Sequence, residues 1–152
     1  MRLKKGKLNT RLTAVFCFAW CFTLFSAYGS INRALLVGVS DYYNLDGEYD
    51  LKGPRNDLQI MQELLHGFSF EQQHIILLSE DAATAPTRGN ILQAFDILAD
   101  RATSGDQVLI YMSGHGSRQP ADQDPGDLEP DGQDEIFLPA DVEKFDFKIG
   151  AV

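Results

Sequence analysis

His115 stands between two glycines at the end of the apolar run Val108-Leu-Ile-Tyr-Met-Ser-Gly-His-Gly116. An imidazole titrates near neutrality and can act as a general base or as the partner of a thiolate. The flanking glycines let backbone or substrate approach the ring closely, and Ser113 adds a small polar group two positions before it. The other two histidines lack such a setting. His66 falls at a helix end and His74 at a strand start, where surface or capping roles suffice.

Two other groups carry chemistry. Asp57 closes the stretch Leu51-Lys-Gly-Pro-Arg-Asn-Asp57. In the first turn of a helix the helix dipole favours a carboxylate. At the mouth of a crevice the same carboxylate could receive a cationic side chain. Further on, Asp122, Asp124, Asp127, Glu129, Asp131, Asp134 and Glu135 place seven carboxylates in fourteen residues with no basic residue among them. Calcium takes six to eight oxygen ligands from flexible loops of this composition. The spacing departs from the EF-hand pattern, and a solvated loop fits as well as a metal site. A serine hydrolase is excluded, because Ser113 is not set in a G-x-S-x-G elbow. A zinc site is excluded by the scatter of three histidines and the position of the cysteines.

The elements that must position these groups alternate between strand and helix. Ala34–Val39 is a short β-branched run expected as a buried strand. A polar loop, Ser40–Gly53, leads to a helix opened by Pro54, with Leu58, Met61, Leu64 and Leu65 as its apolar stripe and Gly67 as its stop. His74–Leu78 is a second strand. A second helix runs from about Thr87 to Ala102 and buries Ile91, Leu92, Phe95, Leu98 and Ala99, with Ser104-Gly105 ending it. Gln107–Met112 is the third strand, 117–134 a loop, and Glu135–Leu138 a further short strand. This alternation predicts an α/β fold with a parallel sheet and helices packed on it. No internal repeat is present. The last residues, Phe145–Val152, have no helix to cover them, so the sheet is expected to end on an open edge and the chain reads as cut short.

Residues 1–29 differ from the rest. Five basic residues and no acid precede an apolar run of 14 residues from Leu12 to Phe25, and Ala27-Tyr28-Gly29 offers a cleavage point before Ser30. This is the layout of a secretory signal, or of an N-terminal anchor if it is not removed. The run is short for a membrane span, which takes about 20 residues. The expectation is an exported protein, membrane-attached only if the segment stays. Both cysteines, Cys17 and Cys21, lie in this run, so the domain over 30–152 uses no disulfide. That domain holds eight basic residues against 22 acidic ones, a net charge of −14. Such a surface repels nucleic acid and suits a cationic substrate, a metal ion or a basic partner.

Taken in order, Arg33-Ala-Leu-Leu-Val-Gly-Val-Ser-Asp-Tyr42, Leu51-x-Gly53-x-x-Asn56-Asp57, Tyr111-Met-Ser-Gly-His-Gly116, and Asp131-Gly-x-Asp-Glu135 with Pro139-x-Asp141 resemble the large-subunit portion of the caspase-like peptidases (peptidase C14), most of all the metacaspase and bacterial caspase-domain branch. The resemblance covers about residues 31–142. It implies a caspase–hemoglobinase fold and a Cys/His dyad that cleaves peptide bonds. His115 matches the catalytic histidine, and Gly116 the position that helps form the oxyanion site. Asp57 and Ser113 match positions lining the first specificity pocket, where an aspartate favours arginine or lysine. Asp134 resembles one ligand of a calcium site found in some metacaspases. Pro54 stands where many of them carry a cysteine. In the family the nucleophile follows one strand further on, in an Asp-x-Cys-His-like motif, and this chain has no cysteine after Cys21. The expectation is a caspase-like domain, incomplete at its C-terminus, that is inactive alone. Its rivals are a non-catalytic caspase-fold module that binds a partner and one piece of a split peptidase. A flavodoxin-like regulator is more distant, since no phosphate loop is present.

Overall fold

The computed structural model describes residues 29–121 and 130–143. Residues 1–28, 122–129 of the acidic stretch, and 144–152 therefore lie outside the described residues, and with them most of the segment read as a secretory signal. The strands are β1 (Asn32–Gly38), β2 (Ile75–Leu78), β3 (Gln107–Ser113), β4 (Gly116–Pro120) and β5 (Gln133–Phe137), and the helices are α1 (Gly53–Gly67) and α2 (Arg88–Arg101).

β1 lies at the centre of a parallel sheet of order β2-β1-β3, with Leu36 opposite both Leu77 and Tyr111. Both faces of β1 are covered, so its residues 34–38 and the following Val39 are all buried. Leu35, Val37 and Val39 face α2, where they meet Ile91, Ala94 and Leu98. Ala34 and Leu36 face α1 and pack with Leu58 and Leu65. Each such fully buried aliphatic side chain stabilises the fold by about 2 kcal/mol. The result is a three-layer α/β/α arrangement, the α/β class expected from the alternation of elements.

The helix stripes are narrower than the periodicity implied. Leu64 and Leu92 are about half exposed, Ala99 is exposed, and Ala94 takes the inner position instead. A helix on one side of a sheet buries a single row every three to four residues, and i+1 neighbours of that row turn outward. Gly67 does not stop α1 by a left-handed turn. That conformation falls to Ser69, at φ 63°. Gly105, at φ 99°, does make the turn into β3. Thr87 caps α2 through its hydroxyl, which accepts the Asn90 N–H at 3.4 Å.

The region 117–134 is not wholly a loop. Its first residues form β4 and its last residues open β5, and the two pair antiparallel as a separate hairpin. Gly-Ser-Arg-Gln-Pro has no strand signature of its own. It is extended because β5 supplies the ladder and because Arg118 pairs with Glu135 directly opposite it, at 3.3 Å. β3 is consequently an edge strand among the described residues, with Val108 and Ile110 about half exposed.

Candidate active site

Reversal of strand order falls between β1 and β3. In open α/β sheets the crevice beyond the carboxyl ends of the strands at that point is where ligands bind. Two segments diverge there. After β1 the chain enters the loop 40–52, and after β3 it passes through Gly114 and His115 into β4.

The loop 40–52 is tied down along its length. Glu80 Oε1, just beyond β2, accepts the N–H groups of Ser40 and Asp41 at 2.9 and 3.2 Å. The Leu51 N–H closes the loop on the Ser40 carbonyl at 2.8 Å, and Asp50 Oδ1 accepts the Tyr42 N–H at 3.1 Å. Tyr43 N–H reaches the Ala140 carbonyl at 2.9 Å. At the foot of the loop, Arg55 bridges Asp41 and Asp81 at 2.6 and 2.7 Å. These bonds raise the guanidinium pKa, with the Asp41 bond the largest cause.

This loop holds His115. The ring Nε2 lies 2.8 Å from the Tyr49 carbonyl oxygen. A carbonyl only accepts, so Nε2 carries the hydrogen and Nδ1 of the neutral ring is the basic atom. The main-chain N–H of His115 donates to the Tyr42 hydroxyl at 2.7 Å. Burial, and secondarily the Glu80 carboxylate, raise the Tyr42 pKa against the lowering effect of that donated bond. The phenol is therefore neutral wherever an imidazole exchanges protons.

The two glycines beside His115 serve different ends. A Cβ on Gly114 would lie 2.9 Å from Phe137 Cζ and 3.2 Å from the Tyr42 hydroxyl, so a side chain here would have to push the ring aside. A Cβ on Gly116 would meet nothing nearer than the Ile136 carbonyl at 3.6 Å. Its value lies on the other side of the strand. The Leu138 N–H donates to the His115 carbonyl at 2.9 Å. Bonded and non-bonded pairs alternate in an antiparallel ladder. Gly116 with Phe137 is then a non-bonded pair, and the Gly116 N–H faces away from β5. A main-chain donor next to a general base can stabilise a developing oxyanion.

Ser113, the last residue of β3, donates its hydroxyl to Asp57 Oδ2 at 2.7 Å. Asp57 is the fifth residue of α1, not in its first turn, so the helix dipole is a weaker reason for it than the sequence implied. Its local partner is the serine. Among the described residues Asp57 forms no ion pair, because Arg55 is committed to Asp41 and Asp81. The carboxylate keeps acceptor capacity for a cation. Pro54 is buried at the start of α1.

His66 and His74 do not join this group. His66 is exposed in the last turn of α1, at the opposite end of the sheet, and His74 lies in a 3-10 turn before β2. Asp134 stands on β5 opposite Gln119. Among the described residues no three acidic or histidine side chains converge on a metal position, so Asp134 lacks a ligand set there. Sequence reasoning missed Tyr42 and Tyr49. Tyr49 acts through its carbonyl, which no side-chain motif reports. Tyr42 closes the first motif of the resemblance, but nothing in that motif marks it as a partner of His115.

A parallel sheet that delivers an imidazole, a main-chain donor and a carboxylate–hydroxyl pair to one crevice has the construction of a caspase-like peptidase domain. Residues 32–149 match the family described as Metacaspase, peptidase C14 domain. Metacaspase-1A of Aspergillus oryzae is 37% identical over 121 residues, 77% of this chain and 27% of that protein. Metacaspase-4 of Arabidopsis thaliana is 34% identical over 114 residues, 72% of this chain and 26% of that protein. Metacaspase-1 of the same plant is 37% identical over 115 residues, 73% of this chain and 30% of that protein. The chain belongs to the metacaspase family of C14 peptidases. It spans between 26 and 30% of the length of these relatives.

Proposed function

We propose that this domain is the histidine-bearing portion of a cysteine endopeptidase that cleaves after arginine or lysine. The observation that carries the reading is the Ser113–Asp57 pair, 2.7 Å apart and two residues from His115. It places an anionic acceptor without an ion-pair partner among the described residues at the same crevice as a base whose Nδ1 is free of the Tyr49 bond.

In this reading a cysteine thiol gives its proton to Nδ1, and the thiolate attacks the scissile carbonyl carbon to form a C–S bond. The oxyanion is met by the Gly116 N–H. The imidazolium then protonates the leaving amine as the C–N bond breaks. Water, deprotonated at Nδ1, adds to the thioester, and the C–S bond breaks to return the thiol. Cys17 and Cys21 are the only cysteines in the sequence and precede the domain. In this reading the thiol comes from a strand that pairs with β3, an edge strand among the described residues, and the 152-residue chain alone is expected to be inactive. The exposed Val108 and Ile110 support this arrangement. They equally favour the partner-binding or split-peptidase form of the same reading.

The substrate is a peptide or protein with a basic side chain, and not a nucleic acid. Residues 1–29 direct export, with membrane attachment if they are retained. Asp134 is proposed as one calcium ligand, on its match to the calcium site of some metacaspases. The test of specificity uses the whole chain: titrate it with N-acetyl-arginine amide and N-acetyl-norleucine amide, following amide shifts by NMR. Shifts at Gly38, Asp57 and Ser113 are expected with the arginine compound only and should vanish in Asp57→Asn. Equal response to both compounds overturns the specificity.

A further inference from the structure

His115 sits where the chain has least stiffness of its own, between two glycines that leave the sheet. A proton-transfer group must nevertheless hold one geometry, so another group has to fix this turn. The ladder does not. Leu138 donates to the His115 carbonyl, but the reciprocal bond, from the His115 N–H to the Leu138 carbonyl, is not made. That N–H turns instead to the Tyr42 hydroxyl, at 2.7 Å. The Tyr42 ring also lies against the imidazole, with centroids 5.1 Å apart and planes at 37°.

Tyr42 is a firm support. It is 3% exposed, and its own N–H is held by Asp50. Its carbonyl accepts the Leu45 N–H at 3.1 Å. The residues on either side are anchored by Glu80 and by Ala140. Asp50 therefore joins the segment that bears Tyr42 to the segment that bears Tyr49, and the loop grips the histidine at two points. One is the main-chain N–H, through the phenol. The other is the ring Nε2, through the Tyr49 carbonyl. The fit is mutual, since a Cβ on Gly114 would lie 3.2 Å from the same hydroxyl.

We propose that Tyr42 is a positioning residue for His115: its hydroxyl fixes the glycine-flanked turn, and its ring limits the swing of the imidazole, so that Nε2 stays on Tyr49 and Nδ1 stays toward the crevice. The proposal rests on the reading of His115 as the proton-transfer group. Tyr42 itself moves no proton and touches no reacting atom.

The test uses Tyr42→Phe in the full 152-residue chain, which keeps the ring and removes only the hydroxyl. With labelled histidine, long-range proton–nitrogen NMR correlations at alkaline pH read the tautomer of His115, and amide exchange reads its N–H. The wild type should show the Nε2–H tautomer and a protected amide. Loss of one hydrogen bond should speed His115 amide exchange and raise the minor tautomer by roughly fivefold each, with Leu35 and Leu36 amides unchanged. A variant whose His115 amide is released while its tautomer ratio keeps the wild-type value overturns the proposal, because the bond is then merely structural. If the variant does not fold, the wild type decides. An unprotected His115 amide or a dominant Nδ1–H tautomer overturns it, and a protected amide with Nε2–H supports it. All readings are made without substrate or thiol, so failure of the peptidase reading leaves them unaltered.

Discussion

Alanine at Gly114 and alanine at Gly116 are the same substitution two residues apart, and they should have opposite effects on stability. At Gly114 the new methyl would sit 2.9 and 3.0 Å from Phe137 Cζ and Cε2 and 3.2 Å from the Tyr42 hydroxyl. Carbon atoms rest at about 3.5–4.0 Å, so the ring must retreat by about half an ångström. Phe137 is held in β5 and Tyr42 is buried, which leaves little room. Overpacking of this kind costs about 1–3 kcal/mol. The stiffer unfolded chain offsets about 0.4–1 kcal/mol of it. The net loss is about 0–2.6 kcal/mol with a midpoint of about 1.3, which lowers Tm by about 5 °C for a domain of this size. At Gly116 the methyl meets ordinary contact at 3.6 Å and the backbone lies outside the left-handed region. Only the unfolded-state gain remains, and the variant should match or exceed the wild type by up to about 0.5–1 kcal/mol. Urea unfolding of the whole chain, followed by far-ultraviolet circular dichroism, measures both. A Gly116→Ala variant as unstable as Gly114→Ala would refute the assignment of one glycine to packing and the other to access.

Acid should expose a second feature. Asp106 accepts the N–H groups of Ile31 and Thr103, and after them the Arg33 guanidinium, which hold its carboxyl well below the usual range. A carboxyl lowered on folding stabilises the fold at pH above its unfolded value, about 4, and the contribution fades as pH falls below that. The gap in urea midpoint between wild type and Asp106→Asn should be wide at pH 7 and shrink toward pH 2; a constant gap contradicts the assignment. Ser113→Ala should weaken N-acetyl-arginine amide binding by roughly fivefold through loss of one hydrogen bond to the Asp57 carboxylate, read from the same NMR titration as above. Ile110→Lys, on β3, an edge strand among the described residues, should change stability by less than about 0.5 kcal/mol and reduce self-association in sedimentation experiments; a large loss of stability would mean the edge is already covered.

Most of the frame was legible because its physics is local. β1 announces itself by the apolar run Ala34–Val37, and both of its faces proved to be covered. Pro54 and Thr87 mark helix starts by chemistry that needs no tertiary contact. The hairpin was not legible, since β4 is extended only through its partner β5 and the Arg118–Glu135 pair. At the site, Ser113 meets Asp57 directly and stands two residues before His115, while Asp134 lies apart on β5. What escaped was the support beneath them. The Tyr49 carbonyl and the diverted His115 N–H are main-chain groups, and every residue possesses them. Their roles arise only from the course of the loop 40–52. The calcium reading on Asp134 stays separate, because it rests on the resemblance alone and no ligand set gathers around Asp134 among the described residues.

The central claim is that His115 is the proton-transfer half of a peptidase site whose pocket is Asp57 and Ser113. The direct measurement is hydrolysis of arginine-, lysine- and norleucine-ended fluorogenic peptides by a chimera. In it, residues 29–143 replace the matching portion of Metacaspase-1A of Aspergillus oryzae, with which this chain shares 37% identity. The expected result is cleavage after arginine and lysine only, reduced by at least about a thousandfold in His115→Ala. A chimera that cleaves the norleucine peptide equally well, or that keeps its rate without His115, would contradict the account.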